Sequence, residues 1–188
     1  MENHLERKRS LAYMAGMTVR RILWHPDPHL KKKCAEIVTV DETTQKLAQD
    51  LLATMYDAPG VGLAAPQVGA IKRMFVMDCS GKEEEQQPMV LINPRVVWVS
   101  EETHVYNEGC LSLPEQYEDV TRPAEVRVEF LDQTGAEQER HFDGLWATCA
   151  QHEIDHLNGV LFIDHLTALK RTMITRKMTK MKKDRARD

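Results

Sequence analysis

The chain has 188 residues, of which 42% are hydrophobic and 29% are charged, and its formal net charge at pH 7 is −4. This composition excludes collagen-like, low-complexity and disulfide-rich small proteins, and no apolar stretch approaches the roughly 18 residues of a membrane span. The length favours one domain with an appendage. We predict a main domain over residues 17–166, an N-terminal extension (1–16) that need not be native, and a basic C-terminal helix (167–188).

The cysteines indicate a reduced compartment. Four are present, at positions 34, 79, 110 and 149, and no two of them form a CxxC pair. The first sixteen residues also lack the apolar segment of a secretory signal. A disulfide framework is therefore not expected, and a reduced, cytosol-like compartment is the predicted location. Cys34, Cys79 and Cys149 are expected to be small buried residues.

Two helices are predicted in the main domain. Leu47, Leu51 and Met55 form an apolar stripe at helical spacing, which predicts a helix over residues 41–56 that Asp41 caps. The second helix is predicted over residues 145–157, where an Asn-Gly pair follows it as a stop signal. A polar loop over 81–88 separates predicted strands.

Short apolar or alternating runs predict the strands. Val126, Val128 and Phe130 alternate with charged residues, and a turn at 132–135 makes this segment one arm of a hairpin. The predicted strands cover residues 74–77, 89–92, 95–99, 104–106, 124–131, 137–142 and 160–163. The expected fold is α+β, with short antiparallel strands packed around a central metal-binding helix and an appended C-terminal helix.

The C-terminal segment differs from the rest of the chain in charge. Residues 166–188 contain nine Lys or Arg against two Asp, a net charge of +7, which leaves −11 for the remainder. Such a helix is most often a solvated surface. Leu166, Leu169, Met173 and Ile174 are predicted to pack one face of this helix against the domain.

The strongest chemical motif is the HExxH sequence in the second predicted helix. His152 and His156 are four residues apart, so their imidazoles lie on one helical face and can bind the same metal ion. Glu153 follows the first histidine and can reach a water molecule on that ion. This motif does not identify the third ligand. Asp164 and His165 are downstream candidates, and Cys110 is an upstream candidate within NEGCLSLP.

Three motifs together resemble a known family. GVGLAAPQ (60–67), EGCLSLP (108–114) and QHEIDHLNG (151–159) occur in the order and at the separations typical of peptide deformylases. The resemblance extends over roughly residues 17–183. The second motif and the C-terminal helix resemble the bacterial type 1 subgroup of that family.

The resemblance implies a metal centre and a reaction. Cys110, His152 and His156 match the ligands of one divalent ion with water in the fourth position, and 17–166 would be a catalytic metallohydrolase domain. Fe(II) is the expected native metal, and Zn, Ni or Co are expected to occupy the site as well. The implied reaction is hydrolysis of the N-formyl group from the formyl-Met of newly synthesised polypeptides. A metal-bound hydroxide would attack the formyl carbon, and formate would be released.

The catalytic groups also follow from the resemblance. Glu153 matches the general base and acid, which takes a proton from the water and delivers it to the leaving amine. The Gln67 side chain and the backbone N–H of Leu111 match the donors that stabilise the oxyanion. Glu108 and Arg122 are expected to pair and to brace the loop that carries Cys110.

The substrate is expected to add as a β-strand next to Gly62 and Gly109. The methionine side chain would enter a pocket lined by Val61, Tyr106, Leu145, Thr148 and Cys149. Tyr106 and Thr148 stand where the family has aliphatic residues, which leaves the size and polarity of the pocket open. Tyr117 replaces an arginine often found there, so we predict a weaker preference for acidic peptides.

Two other functions stay open on the residues alone. A small HExxH metallopeptidase would use a downstream third ligand and would tolerate the loss of Cys110. A binding module with a structural metal would need four protein ligands and would tolerate the loss of Glu153. The expected partners are formyl-Met nascent peptides and, through the basic helix, the RNA of the ribosome, with no membrane or DNA partner.

Overall fold

The computed structural model describes residues 17–81 and 84–185, so the predicted extension 1–16 lies outside the described residues. The predicted α+β class is confirmed. In chain order the helices and strands are α1 (Glu42–Asp57), β1 (Gly62–Ala64), β2 (Met74–Met77), β3 (Met89–Val99), β4 (Thr103–Cys110), β5 (Leu113–Pro123), β6 (Val126–Leu131), β7 (Glu137–Phe142), α2 (Gly144–Leu157) and α3 (Ala168–Arg185).

A five-stranded antiparallel sheet forms the centre of the fold, with the strand order β1-β2-β3-β6-β7. All four residues of β2 are buried because both faces of the sheet are covered. Phe75 and Met77 pack on the α2 side, whereas Met74 and Val76 pack on the α1 side. This alternation follows from the two-residue repeat of a strand.

Helix α1 forms as its sequence predicts. The Asp41 carboxylate accepts a hydrogen bond from the backbone N–H of Thr44 at 2.8 Å, which caps the first turn. Leu47, Leu51 and Met55 are buried against the sheet.

Strands β4 and β5 form a separate two-stranded sheet that carries part of the site. β5 was not predicted, because its sequence LPEQYEDVTRP holds two prolines and no apolar alternation. The short strand β1 inside the glycine-rich segment was not predicted either. The two predicted strands at 89–92 and 95–99 form one strand, β3, with an irregular register between Ile92 and Arg95. Asn93 has a φ of 52° there.

The predicted strand over residues 160–163 is wrong. Residues Phe162–His165 form a 3-10 helix, and the Asp164 carboxylate accepts a hydrogen bond from the Leu161 N–H at 2.8 Å. Leu161, Phe162 and Ile163 are buried there in a cluster with Leu113 and Met178. A four-residue apolar run fits a buried helical turn as well as a strand, and packing decided between them.

The predicted packing face of helix α3 is confirmed in part, because Ile174 is buried and Leu166 packs against the same apolar cluster. Ile174 and Met178 are buried, whereas Leu169 and Met173 are exposed. Two contacts to the N-terminal segment fix this rotation: His25 Nε2 lies 3.0 Å from the Thr175 hydroxyl, and Lys182 pairs with Asp27. The basic residues of α3 are therefore mostly on the outer face.

The cysteine predictions are confirmed: Cys34, Cys79 and Cys149 are buried and free, and Cys110 is partly exposed. Over the described ranges of the chain, no helix has both the length and the hydropathy needed to cross a bilayer.

Candidate metal centre and active site

Helix α2 and the end of β4 bring three ligand groups together. One ligand atom each from Cys110, His152 and His156 lies within 4.8 Å of the other two. The Cys110 Sγ is 3.2 Å from the His156 Nε2, and the two imidazole rings have their centroids 5.0 Å apart. Within the residues that the structure describes, this is the only group of three or more such side chains with that geometry.

The position of α2 follows from its sequence. Ala147, Ala150, Ile154 and Leu157 are buried against the sheet, so the opposite stripe of the helix faces β4 and β5. The two histidines lie one turn apart on that stripe. Thiolate and neutral imidazole are good ligands for first-row divalent ions, and three protein ligands leave a coordination position for water. The residues present therefore fit a catalytic metal site.

A buried ion-pair network fixes one of the histidines. Glu108 and Arg122 are both buried and form two contacts, at 2.5 and 3.1 Å, which is the predicted pair. The other bond of the Glu108 carboxylate is to His152 Nδ1 at 2.8 Å. Because Nδ1 is occupied, Nε2 is the nitrogen left for a metal ion.

Burial and hydrogen bonding in this network also shift the pKa values of Glu108 and of the two histidines. Burial acts to raise the pKa of Glu108, but hydrogen bonds from His152 and Arg122 outweigh it and lower the pKa to about 2. Burial likewise acts to lower the pKa of His152, and its hydrogen bonds to Cys110 and Glu108 raise that pKa above the ordinary value. Burial lowers the pKa of His156, which favours the neutral imidazole that a metal ion requires.

Glu153 is buried within the site. The whole residue is 4% exposed, and burial raises the pKa of the Glu153 carboxyl to about 7. Its Oε2 is buried without a hydrogen-bond partner in the described part of the chain. A Cβ added to Gly62 would lie 2.5 Å from the Glu153 Oε1 and 2.7 Å from the Cys149 Sγ, so only glycine fits there.

Gln67 points its amide at the metal ligands. Its Oε1 accepts a hydrogen bond from the Ala64 backbone N–H at 2.8 Å, which fixes the side chain. Its Nε2 then lies 3.2 Å from the Ser112 hydroxyl and 3.6 Å from the Cys110 Sγ. The glycine-rich segment thus supplies a hydrogen-bond donor beside the centre. Leu111 lies between Cys110 and Ser112, in the break between β4 and β5.

A cavity of about 420 Å³ opens beside Cys110, His152 and Glu153. All seven residues predicted to contact the substrate line it: Val61, Gly62, Tyr106, Gly109, Leu145, Thr148 and Cys149. Their placement makes a substrate pocket possible, and their individual roles stay predictions. Tyr106 and Val61 are exposed at the opening, whereas Thr148 is buried.

Sequence reasoning missed three residues that shape the site. His104 Nε2 lies 2.8 Å from the Thr148 hydroxyl, which in turn lies 3.2 Å from the Gly144 carbonyl. Asp155, inside the HExxH motif, accepts a hydrogen bond from Arg122 at 2.9 Å. Ser112 contacts Gln67. The motifs contain Asp155 and Ser112, but no spacing rule connects them to their partners, and His104 carries no signal.

The downstream ligand candidates lie elsewhere. His165 Nε2 is 2.7 Å from the Asp155 carboxylate, and Asp164 accepts a hydrogen bond from the Leu161 N–H and pairs with Lys31. Neither joins the histidine pair, whereas Cys110 does. The structure thus disfavours the downstream third ligand of a small metallopeptidase.

The fold and this site define a hydrolase-type metal centre with three protein ligands and a buried carboxylate. The sequence model of the polypeptide deformylase family matches residues 19–172, and the chain belongs to that family. A peptide deformylase of Rhizobium meliloti (strain 1021) is 53% identical over 169 residues, which cover 90% of this chain and 97% of that relative. The chain is accordingly a hydrolase of a metal-dependent family.

Solved structures support the same family assignment. A peptide deformylase from Legionella pneumophila superposes with a TM-score of 0.83 at 46% identity, covering 91% of this chain and 99% of that one. A peptide deformylase from Ehrlichia chaffeensis in complex with actinonin has a TM-score of 0.83 at 39% identity, covering 88% and 98% of the two chains.

Proposed function

We propose that this protein hydrolyses the N-formyl group from the N-terminal formyl-methionine of newly synthesised polypeptides and releases formate. The observation that carries the proposal is the group of Cys110, His152 and His156 with the buried Glu153 at the base of a cavity. Family membership supports the same reaction class.

The three ligand residues would hold one divalent ion, with Fe(II) as the proposed native metal and Zn, Ni or Co as substitutes. When bound, such an ion lowers the pKa of a coordinated water and polarises the carbonyl oxygen of the substrate. The surrounding side chains would transfer the proton and stabilise the charge on the substrate oxygen.

Glu153 moves the proton. Burial raises the pKa of its carboxyl to about 7, so at neutral pH it exchanges readily between the charged and neutral forms. As carboxylate it takes a proton from the attacking water, and as carboxylic acid it delivers that proton to the leaving amine. Its Oε2 has no other hydrogen bond among the described residues and is therefore available for this transfer.

Gln67 and Leu111 stabilise the negative charge on the substrate oxygen. The Gln67 amide is held by the Ala64 N–H and has its donor side toward Cys110. The Leu111 backbone N–H is the second proposed donor. Because both are fixed by the fold before the substrate arrives, they cost little reorganisation during the reaction.

The cavity favours a small acyl group. A Cβ at Gly62 would collide with the Glu153 and Cys149 side chains, so glycine keeps this part of the cavity wall clear. A formyl carbon carries only hydrogen, so a tight site can admit it and exclude bulkier acyl groups. We propose that the methionine side chain enters between Val61, Leu145 and Thr148, with the peptide along Gly62 and Gly109.

Formate release from a formyl-Met peptide tests this function. We would use anaerobic Fe(II)-loaded or Ni(II)-loaded protein, together with Glu153→Ala and Cys110→Ala. Formate release by the native chain and its loss in both variants are expected. Cleavage of an internal peptide bond would favour the metallopeptidase, and absence of any release at one bound metal equivalent would contradict the proposal.

We also propose that helix α3 binds ribosomal RNA, which would place the enzyme near nascent chains in the cytoplasm. Support comes from its exposed Arg176, Lys177, Lys180 and Lys183. Because Ile174 and Met178 belong to a buried cluster, charge substitutions are a cleaner test than deletion of the helix. Replacing the four cations by Gln should weaken ribosome binding and its salt dependence, and leave peptide deformylation unchanged. Unaltered ribosome binding would contradict this partner.

A further inference from the structure

A short stretch of backbone near the start of the described chain joins the two loops that carry Gln67 and Ser112. We call residues 23–25 the connecting segment. The Leu23 N–H donates a hydrogen bond to the Gln67 carbonyl at 2.8 Å. The His25 N–H donates to the Ser112 carbonyl at 2.9 Å. The connecting segment therefore holds both loops by their backbone and fixes the distance between them.

That distance determines where the Gln67 amide points. Gln67 and Ser112 are both buried, and one N–H of the amide donates to the Ser112 hydroxyl at an Nε2–Oγ distance of 3.2 Å. The place of this hydroxyl sets the direction of the other N–H, on the side of the Cys110 Sγ 3.6 Å away. A displacement of about 1 Å in a group that acts on the reacting atoms can cost on the order of 10²-fold in rate. Small movements of the connecting segment are therefore able to change the reaction.

The side chains of the connecting segment are attached to helix α3. His25 is buried, and its Nε2 lies 3.0 Å from the Thr175 hydroxyl. The Arg185 guanidinium lies over the ring of Trp24, with its Cζ 4.1 Å from the ring centroid. Since His25 is the more enclosed of the two residues, its bond to Thr175 is the stronger anchor.

The imidazole of His25 is neutral and has a single side-chain anchor. Burial, together with Lys31 and Lys182, lowers the pKa of His25, and Asp164 opposes this shift only in part. Its Nδ1 is buried and makes no hydrogen bond to another described residue. The bond to Thr175 is thus the one side-chain hydrogen bond that holds this ring in the described part of the chain, and loss of that bond would release the ring.

The apolar packing of α3 does not depend on this bond. Ile174 and Met178 are buried in a cluster with Leu113 and Phe162, which keeps the helix on the domain. No described residue of α3 lines the cavity. Removing the hydroxyl of Thr175 should therefore leave the helix in place and loosen only the connecting segment, which makes a positioning role separable from a structural one.

We propose that His25 is a positioning residue for the reaction: held by Thr175, it keeps the connecting segment against Gln67 and Ser112. This inference rests on the proposed deformylation, in which the Gln67 amide stabilises the negative charge on the substrate oxygen. It gives helix α3 a part in the rate of the reaction although α3 lies outside the cavity. Because the amide acts in the transition state, the effect should appear in kcat and leave KM and metal content unchanged.

A double-mutant cycle with Ni(II)-loaded protein and a formyl-Met peptide tests this role. Thr175→Val removes the hydroxyl and keeps the size and the branching of the side chain. We expect kcat to fall by about three- to tenfold with KM unchanged. In the Gln67→Ala background the same substitution should change kcat by less than about twofold, because the amide that it positions is gone.

Three further variants complete the design. Thr175→Ser keeps the hydroxyl and should retain the native kcat. Thr172→Val makes the same change at an exposed threonine of α3 whose hydroxyl donates to the Ala168 carbonyl of its own helix at 2.8 Å, and it should leave kcat unchanged. His25→Leu removes the anchor from the other side and should reproduce the loss in kcat. Metal content and thermal unfolding, measured on the same samples, establish that each variant is loaded and folded.

The outcomes distinguish this proposal from the proposed function. A native kcat in folded, metal-loaded Thr175→Val would overturn the positioning role and leave deformylation standing. An equal loss of kcat with and without the Gln67 amide would also overturn it, because the loss would then act through another group. Absence of formate release in every protein, the native chain included, would contradict the proposed function itself.

Discussion

The inner wall and the rim of the same cavity are built in opposite ways. On the inner wall, Glu108, Arg122 and His152 are buried and joined by hydrogen bonds of 2.5 to 3.1 Å. At the rim, Tyr106 and Tyr117 are 43% and 66% exposed. The inner wall is therefore preorganised for one chemistry, whereas the rim can change its side chains at little structural cost. We infer that the reaction depends on the first region and peptide preference on the second.

Loss of the Gln67 amide should have the largest effect among the variants that keep the metal ligands and Glu153. Gln67→Ala should lower kcat by about 10²- to 10³-fold, because it removes a preorganised donor for the oxyanion. Steady-state formate release from a formyl-Met peptide measures the change. Gln87→Ala, in the exposed loop before β3, is the control. A loss smaller than tenfold for Gln67→Ala would show that this amide does not act on the transition state.

The Glu108 carboxylate should matter next, through the metal. Glu108→Gln removes the charged partner of His152 Nδ1 and leaves Asp155 as the remaining carboxylate partner of the buried Arg122. The metal affinity should therefore fall about 10- to 100-fold. Competition with a chromophoric chelator gives the dissociation constant. Glu118→Gln is a matched control, since Glu118 faces Glu108 across the β4–β5 ladder but pairs with Lys170 at the surface. Equal affinities in the two variants would contradict an orienting role for Glu108.

The polar part of the pocket should have a smaller effect. Thr148→Val replaces the hydroxyl that contacts His104 with a methyl group of similar size. If the methionine side chain of the substrate lies against this position, the KM for a formyl-Met peptide should fall by about two- to fivefold. The reason is that a buried methyl group favours an apolar ligand by roughly 1 kcal/mol. Thr148→Ser keeps the hydroxyl and should keep the native polarity. A KM that is unchanged in Thr148→Val would place the methionine side chain elsewhere.

Residues outside the cavity should have the smallest effect. His165→Ala removes a candidate for the third metal ligand that contacts Asp155 instead of the metal group. We expect metal content at one equivalent and formate release within about twofold of the native chain, as for most surface substitutions. Loss of the metal from His165→Ala would revive the downstream-ligand alternative.

The sequence predicts the local parts of this site better than the long-range ones. The i, i+4 spacing of His152 and His156 places both on one face of a helix, and the helix forms as expected. The third ligand is different, because Cys110 is 42 residues upstream of His152 and no spacing rule connects them. Its selection required the joint resemblance of three motifs. The contacts of His104 with Thr148 depend on tertiary packing that no local pattern records.

The errors in the fold have the same origin. The stripe of Leu169 and Met173 obeys helical spacing, yet these side chains are exposed because His25 and Asp27 rotate α3 toward Ile174 and Met178. The positive φ of Glu115 in β5, 60°, could not be predicted from the sequence either, since nothing in the residue type favours it. Propensity describes what a segment can form, and the neighbouring elements decide which face is buried.

Glu153→Gln tests the central claim most directly, because it keeps the shape of the side chain and removes only its ability to carry the proton. Metal content and formate release should be measured on the same Ni(II)-loaded sample. We predict one metal equivalent in both proteins and a loss of about 10²- to 10⁴-fold in kcat for the variant, the usual range for general acid–base catalysis. A fully loaded variant that still releases formate within tenfold of the native rate would contradict the assigned role of Glu153.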